Sequence, residues 1–321
     1  MGFTSLEICA GAGGQALGLE QAGFEHEQLV EIEPPACATL RLNRPNWHVV
    51  AGDVREYSGL HLKGIDLVAG GVPCPPFSKA GKQLGNDDER DLFPEAIRLV
   101  DEIRPQAVML ENVRGLLDAV FDDYRMKIIE DLKKLGYEAE WRLLNASDFG
   151  VPQLRPRVIF VGVKKNIEPF FKWPEANIVK PKTVGEALHD LMAARGWSGA
   201  DRWLKAADDI APTLVGGSKK HGGPDLGPTR AKRAWAAIGV DGLGIADEPP
   251  APDFVGMPRL TIRMTARIQG FPDDWEFSGR KTAAYRQIGN AFPPPVAKAV
   301  GIQILQALEL AASKRVIKKR A

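Results

Sequence analysis

Short apolar runs alternate with amphipathic segments through the first half of the chain. Runs such as SLEICAG, EQLVEIE, GIDLVAGGVP and QAVMLENV have the length and composition of buried strands. Segments such as LFPEAIRLVDEIRP and AVFDDYRMKIIEDLKKLG repeat apolar residues at helical spacing, and end at proline or glycine. Apolar strands that alternate with helices predict an α/β fold with a parallel, doubly wound sheet.

The alternation stops near residue 165. Residues 166–258 are rich in glycine and proline, as in APTLVGGSKKHGGPDLGPT and ADEPPAPDF. An ordered pattern returns at RLTIRMTARIQGFP, and the chain closes on the helical pattern PPPVAKAVGIQILQALELAASKR. We therefore expect a first domain over 1–165, a smaller second domain with little helix over 166–258, and a return to the first domain over 259–321.

Charge and cysteine content exclude only a few classes of protein. Lys plus Arg is 42 and Asp plus Glu is 41 among 321 residues, so nucleic-acid binding would need a local basic cluster such as GGSKKHGG, TRAKR or SKRVIKKRA. Cys9, Cys37 and Cys74 form neither a disulfide framework nor a CxxC metal pair, as is typical of a reducing cytosol. We find no secretory signal and expect no membrane-spanning segment.

Glycines and carboxylates follow the first three predicted strands. EICAGAGG places glycines between a strand and a helix, where the backbone can approach a ligand closely, although the spacing is not the GxGxxG of dinucleotide sites. Glu31 or Glu33 at the end of the second strand could bind a ribose diol, and Asp53 after the third could accept from an adenine amine. Together these strand ends predict a nucleoside site at the carboxyl edge of the sheet.

Cys74 follows a predicted buried strand and lies between prolines in VPCPPFS. A cysteine is most often a small buried hydrophobe. Here Pro73, Pro75 and Pro76 stiffen a loop that opens into SKAGKQLGNDD, a setting typical of a functional loop. The context favours an activated thiol nucleophile.

Two further segments carry charged residues at strand ends. Glu111 in ENV is either a solvated cap or an acid whose pKa a closed pocket would raise. Arg155 and Arg157 in QLRPR would share one face of an extended chain. They could form a surface pair or bind an anionic or carbonyl group.

The order CAGAGG, EIE, GDV, PCPPFS, ENV, QLRPR, RMTARIQGFP and YRQIGNAFPPPVA resembles that of bacterial DNA cytosine carbon-5 methyltransferases, the family of the type II restriction–modification enzymes. The resemblance implies a Rossmann-like, S-adenosylmethionine-dependent domain and a target recognition domain over 166–258. It also implies double-stranded DNA as substrate, S-adenosylhomocysteine as product and no metal. We expect a cytoplasmic monomer, associated with the nucleoid through DNA; a separate restriction endonuclease is a candidate partner, and the sequence leaves open whether one exists.

The resemblance assigns the catalytic roles. Cys74 would add to carbon 6 of a flipped-out cytosine, and Glu111 would contact ring nitrogen 3 and the exocyclic amine. Arg155 would hold the carbonyl oxygen, and Arg157 would support nearby backbone contacts. Carbon 5 would then take the methyl group, and the group that accepts the carbon-5 proton stays open.

The resemblance also assigns contacts to the cofactor and to DNA. Ile32 and Val54 are included among the cofactor contacts because they follow Glu31 and Asp53 at the predicted strand ends. Cofactor contacts fall on Cys9, Ala10, Gly11, Gly13, Gly14, Glu31, Ile32, Asp53, Val54, Pro73, Leu92 and Asn290. DNA contacts fall on Ser78, Lys82, Gln83, Arg90 and Thr213.

Three positions depart from the family pattern. Cys9 stands where a phenylalanine is usual against the adenine, so a stacking surface is lost. Pro75 replaces the usual glutamine after the nucleophile and changes backbone hydrogen bonding. Met264 stands where glutamate is common, and we expect an effect on packing alone.

Three other functions compete with this interpretation. CPPF is similar to the signature of amino-group methyltransferases, but cysteine is a poor acceptor for the target amine. A tRNA methyltransferase of the same family would usually carry Cys-Phe-Thr, which is absent. A DNA-binding relative without activity would usually lack the nucleophile or the glutamate, and both are present.

Overall fold

A computed structural model describes residues 2–73, 91–176, 180–217 and 223–320. A seven-stranded sheet forms the centre of this part of the chain. Its strands are β1 (Phe3–Ile8), β2 (Phe24–Glu31), β3 (Val49–Ala51), β4 (Leu67–Gly70), β5 (Ala107–Val113), β6 (Tyr137–Asn145) and β7 (Pro156–Lys164).

The strand order is β3-β2-β1-β4-β5-β7-β6. β1 to β5 pair in parallel, whereas β7 is antiparallel to both β5 and β6. The predicted α/β fold is confirmed, but the expectation of a purely parallel sheet is wrong at β7. The short connection between β6 and β7 contains no crossover helix, so the chain returns in the opposite direction.

Helices cover both faces of the sheet. Those in the first half are α1 (Gly14–Ala22), α2 (Pro34–Asn43), α3 (Phe93–Ile103) and α4 (Asp122–Lys134). Those that follow are α5 (Val184–Ala193), α6 (Ala200–Ala206), α7 (Thr229–Ala237), α8 (Ile262–Ile268), α9 (Lys281–Asn290) and α10 (Pro294–Arg320).

β4 illustrates how the sheet divides the core. Leu67 and Ala69 belong to the cluster that contains the apolar residues of α10, whereas Val68 belongs to the cluster under α3 and α4. This alternation follows the period of two of a strand. Because both faces are covered, the strand has the continuous apolar sequence of a buried parallel strand.

α1 packs closely against α10 through a glycine. The helix ends at Gly23, whose left-handed φ of 109° lets its N–H bond the carbonyls of Leu19 and Glu20. A Cβ at Gly18 would lie 2.4 Å from the Pro294 carbonyl oxygen and 2.5 Å from the Ala297 Cβ. The short interhelical distance therefore depends on the missing side chain.

The region from residue 180 to 258 is helical where little helix was expected. It contains the three short helices α5, α6 and α7, which the composition did not indicate. α5 nevertheless has a clear start signal in the sequence, the capping box formed by Thr183 and Glu186. Val184, Trp203 and Trp235 share a core cluster with Leu17 and Leu40 of the first part of the chain. The division into separate domains stays a prediction.

The segment Lys281–Lys314, mostly α10, is the candidate membrane span among the described residues by length and composition, with a mean hydropathy of 1.2. In the structure, α10 packs against α1, and 44% of the 18-residue apolar stretch that has this mean hydropathy is buried. Length and composition alone do not separate such a helix from a core helix, and the sequence expectation overlooked this.

We expect Gly18→Ala to lower the free energy of unfolding by about 1–3 kcal/mol. The methyl group would push α1 from α10, and this outweighs the gain in helix propensity of about 1 kcal/mol. Urea unfolding followed by circular dichroism measures the change. Gly115→Ala is the matched control, because a Cβ there meets nothing within 4 Å. Equal stabilities of the two variants would contradict the packing described here.

Candidate active site

A cavity of about 380 Å³ opens at the carboxyl edge of the sheet, between the ends of β1, β2 and β5 and the helix α9. It brings together residues that are far apart in the sequence, as expected for a ligand site at this edge. The sequence-predicted residues on its wall are Cys9, Ala10, Gly11, Gly14, Glu31, Glu111 and Asn290.

The glycine turn after β1 is held by Glu31. The Glu31 carboxylate accepts the Gly11 N–H at 2.6 Å through Oε2 and the Glu33 N–H at 2.7 Å through Oε1. Burial raises the pKa of Glu31, and these two N–H donors offset part of the shift. Gly14 starts α1 so close to the C-terminal segment that a Cβ would lie 2.3 Å from the Phe292 carbonyl oxygen. The turn is therefore held by one buried carboxylate and by close packing against the C-terminal segment.

Cys9 lies in this turn with a left-handed φ of 51°. Non-glycine residues rarely adopt this conformation, and such strain is concentrated at functional sites. Burial raises the pKa of its thiol to about 12, with help from the carboxylates of Glu31, Asp53 and Glu7. Burial therefore disfavours the thiolate, and Cys9 presents a small side chain to the cavity.

Glu111 lies on the cavity wall and forms a buried ion pair with Arg157. Arg157 Nε lies 2.7 Å from Glu111 Oε1, and the two side chains are 12% and 10% exposed. Burial raises the pKa of Glu111, while Arg157 and Arg155 lower it in part. A Cβ at Gly71 would lie 3.5 Å from Glu111 Oε2. A planar group entering beside Gly71 would therefore meet a carboxyl group that can hold a proton.

Arg155 has a different environment, although it is only two residues away. Its side chain is 0% exposed and lies among acceptor oxygens rather than carboxylates. Nη1 donates to the Leu214 carbonyl at 2.8 Å and to Gln153 Oε1 at 3.4 Å. Nη2 donates to the carbonyls of Gly289 at 2.7 Å and Ala291 at 3.1 Å. Arg155 therefore joins three distant segments of the chain.

Comparison with known proteins identifies the family. The family model of C-5 cytosine-specific DNA methylases matches residues 3–306. The chain belongs to this family. It is 63% identical to the type II methyltransferase M.NgoMIV of Neisseria gonorrhoeae, over 96% of this chain and 99% of that protein. It is 60% identical to M.NaeI of Lentzea aerocolonigenes, over 95% of this chain and 75% of that protein.

A solved structure of a DNA modification methyltransferase has a similar fold. It is a candidate DNA modification methyltransferase encoded within a prophage, from E. coli, with a TM-score of 0.67 and 25% identity. The alignment covers 97% of this chain and 99% of that one.

Five predicted site residues of this methyltransferase, Cys74, Ser78, Lys82, Gln83 and Arg90, lie outside the described residues. The residues that flank this segment are described. The Leu92 N–H donates to the Pro73 carbonyl at 3.2 Å, so the two ends of the segment meet beyond β4. β4 lies between β1, which carries the glycine turn, and β5, which carries Glu111.

Six predicted cofactor residues are not on the cavity wall. Asp53 forms an ion pair with Arg55 at 2.5 Å, which lowers its pKa, and both lie at the end of β3. Ile32 is 56% exposed, whereas Val54 is 4% exposed and belongs to the core. Gly13, Pro73 and Leu92 are the remaining three. Their assignments stay predictions.

Thr213 and Asn290 lie on segments that Arg155 helps to join. Thr213 Oγ1 donates to the Leu154 carbonyl, and Asn290 Nδ2 donates to the Gly217 carbonyl at 3.3 Å. Met264 completes a capping box at the start of α8: its Sδ accepts the Thr261 N–H at 3.4 Å. A thioether thus occupies the place of the usual carboxylate, as a weaker acceptor.

Sequence reasoning missed four polar residues on the cavity wall: Glu7, Gln15, Arg286 and Gln287. Two of them had a detectable signal. Glu7 precedes Cys9 by two residues on a strand, and Arg286 precedes Asn290 by four on a helix, so each pair shares a face. The sequence signal of Gln15 is weaker, because the glycines that precede it suggest contacts from the backbone of the turn rather than from a side chain.

Arg155→Lys and Arg157→Lys should separate stability from activity. A lysine at 155 cannot reach all the acceptors of Arg155, so we expect the free energy of unfolding to fall by about 2 kcal/mol or more. A lysine at 157 keeps a cation beside Glu111, so we expect a loss below about 1 kcal/mol but a decrease of more than about tenfold in methyl transfer to DNA. Urea unfolding and transfer of a radiolabelled methyl group measure the two quantities. Similar losses of stability in both variants would contradict this division of roles.

Proposed function

We propose that this DNA cytosine-5 methyltransferase acts on a cytosine flipped out of duplex DNA, through a covalent bond from Cys74 to carbon 6. The observation that carries the proposal is the buried Glu111–Arg157 pair beside a cavity whose wall also includes the glycine turn. Pro73 and Leu92, the described residues on either side of the segment with Cys74, are hydrogen-bonded to each other beyond β4. β4 lies between β1, which carries the glycine turn, and β5, which carries Glu111. One site would thus hold the target base, the nucleophile and the methyl donor.

The cavity fits S-adenosylmethionine, the cofactor that the family implies. A Cβ at Gly11 would meet nothing within 4 Å, so the turn is open there, and the Glu31 carboxylate is held at the end of β2, where it can accept from a ribose diol. Ala36 and Pro35 add apolar surface to the same wall. When bound there, the cofactor supplies an electrophilic methyl group.

The chemistry needs a nucleophile because carbon 5 of cytosine does not attack a methyl group unaided. Addition of the Cys74 thiolate at carbon 6 converts the ring into an enamine, and carbon 5 then becomes nucleophilic. Carbon 5 would take the methyl group that the bound cofactor supplies, which leaves S-adenosylhomocysteine, and loss of the carbon-5 proton with departure of the thiolate would then give 5-methylcytosine. The base must leave the helical stack to be reached from both faces.

Glu111 is the acid that would stabilise this adduct. Its pKa is raised by burial, so the carboxyl group can share a proton with ring nitrogen 3 near neutral pH. Negative charge develops on that nitrogen as the thiolate adds, so the hydrogen bond strengthens toward the transition state.

Arg157, rather than Arg155, is the better candidate for the carbonyl oxygen of the base. Arg157 pairs with Glu111 at the cavity, whereas both terminal nitrogens of Arg155 already donate to protein acceptors. We therefore revise the roles expected from the sequence: Arg157 contacts the base, and Arg155 acts as a positioning residue.

We further propose that residues 166–258 recognise the DNA sequence and that Thr213, together with Ser78, Lys82, Gln83 and Arg90, contacts the DNA backbone. The relatives at 63% and 60% identity are type II methyltransferases of bacteria. We therefore include in the proposal a separate restriction endonuclease as partner, a monomeric state and a cytoplasmic location. The relatives do not favour a tRNA substrate or an inactive DNA-binding protein.

The first test is sequencing that distinguishes 5-methylcytosine from other modified bases, on plasmid from cells that express the protein. We expect 5-methylcytosine within one short motif, the same motif that M.NgoMIV marks when expressed in parallel, because identity extends over 96% of the chain. Cys74→Ala should abolish the mark and keep specific DNA binding, which a gel-shift assay measures. Methylation on the exocyclic amine, or normal methylation by Cys74→Ala, would contradict the covalent mechanism.

A further inference from the structure

The helix α7 presents a basic face to solvent. Its sequence, TRAKRAWAA, contains two arginines and a lysine and no carboxylate. Trp235 on the inner face is 0% exposed and packs in the core, which fixes the orientation of the helix. The outer face consists of four exposed residues at the i, i+3, i+4 and i+7 spacing of one helix face: Arg230, Arg233, Ala234 and Ala237.

The two arginines on this face differ from the lysine between them. Lys232 Nζ forms an ion pair with Asp225 Oδ2 at 2.8 Å, and the lysine side chain is 27% exposed. Arg230 and Arg233 are exposed and have no ion-pair or side-chain hydrogen-bond partner within the described ranges of the chain. Lys232 therefore holds the helix to the segment before it, whereas the two guanidinium groups are available to a ligand.

The start of α7 packs beside the active-site cavity. A Cβ at Gly227 would lie 3.3 Å from the Val215 Cβ and 3.4 Å from the Ala231 Cβ, so Val215 lies against the first turn of the helix. Val215 lies between Thr213, the proposed contact to the DNA backbone, and Gly217, which is on the cavity wall. Duplex DNA placed over the cavity would therefore pass close to α7.

The outer face of α7 has the shape and chemistry that the major groove accepts. An α-helix with its side chains is about 10–12 Å across, and the major groove, about 12 Å wide, admits it. The exposed alanines allow a close approach to the bases. Arginine reads guanine through two hydrogen bonds, to O6 and N7, and this is the commonest specific contact in the groove.

A second exposed feature of residues 166–258 is less suited to DNA. Val255 is 92% exposed and Met257 is 50% exposed. The segment that leads to them carries Asp247 and Glu248, which are in ion pairs, and Asp253, which is exposed. The segment has no cation of its own, so it would repel rather than bind the phosphates of a duplex.

We propose that α7 lies in the major groove of the target duplex and that Arg230 and Arg233 bind guanine bases of the recognition sequence. The inference rests on the proposed function, which assigns DNA recognition to residues 166–258, and it names the helix face that discriminates. Loss of a two-bond contact to guanine removes about tenfold or more of the discrimination at that base pair. Loss of a phosphate contact would remove none, because phosphates carry no sequence information.

Sequencing for 5-methylcytosine on plasmid from cells that express each variant tests the proposal. Arg230→Ala and Arg233→Ala should each extend the mark to sites that differ from the wild-type motif at a G·C pair. The ratio of methylation at the motif to methylation at these sites should fall about tenfold or more. Both substitutions place alanine at an exposed helix position, so the helix is retained.

Lys133→Ala is the matched control. It removes one exposed positive charge near the end of α4, which leads into β6 at the edge of the sheet opposite the cavity. The variant should mark the wild-type motif alone. A change in motif is therefore not a consequence of net charge.

Binding to duplex DNA at several salt concentrations separates base contacts from phosphate contacts. Fluorescence anisotropy would compare a duplex that contains the motif with one in which a single G·C pair, the pair identified by sequencing, is replaced by A·T. An arginine that reads guanine should weaken binding to the motif duplex more than to the changed duplex when it is removed. This measurement also decides the result for a variant that no longer methylates DNA.

Two results would overturn the proposal. One is an unchanged motif in both variants. The other is equal weakening on the two duplexes, with the slope of log affinity against log salt reduced by about one, which would assign the arginines to phosphates. Relaxed discrimination in either variant supports this face as the reader. Absence of 5-methylcytosine from the wild-type plasmid would instead overturn the proposed function, and the readout with it.

Discussion

The arrangement of this molecule depends on the burial of one guanidinium group. Arg155 is fully buried and donates to oxygens of Gln153, Leu214, Gly289 and Ala291. These residues belong to the start of β7, to the segment with Thr213 and to the segment with Asn290. A buried cation without a carboxylate partner is tolerated only where many acceptors surround it. The positions of the three segments are therefore fixed together.

The same constraint explains why two arginines two residues apart have different environments. Arg155 precedes β7 and points into the packed interior, while Arg157 lies within β7, opposite Val113 of β5. Arg157 can therefore reach Glu111, which precedes Val113 by two residues on β5. Arg155 donates to the interior carbonyl oxygens, and Arg157 pairs with the Glu111 carboxylate.

The hydrophobic pattern predicted the central strands well because β4 and β5 contain apolar runs that are followed by a turn. Direction was not predictable from that pattern: β7 is antiparallel because its connection to β6 is short. The helices α5 to α7 were missed because the glycine- and proline-rich stretches at 212–228 and 249–258 were taken to represent the whole region, although Thr183 and Glu186 marked one helix start.

The site was predictable where chemistry follows a strand end, as at Glu31 and Glu111. It was not predictable where a role depends on partners. The spacing of Arg155 and Arg157 could not distinguish a residue that bonds backbone carbonyls from one that pairs with a carboxylate. Glu7 was missed because the pattern EICAG reads as a strand, and its buried position on the cavity wall is visible only in three dimensions.

The most direct measurement of the central claim is covalent trapping on duplex DNA that carries 5-fluorocytosine at the target position. Fluorine at carbon 5 cannot leave as a proton does, so the adduct should persist in the presence of S-adenosylmethionine. Peptide mass spectrometry should then map one modified nucleotide to Cys74, and the yield should fall sharply in Glu111→Gln. Full methyl transfer to ordinary DNA together with no trapped adduct, or an adduct on another residue, would contradict the account.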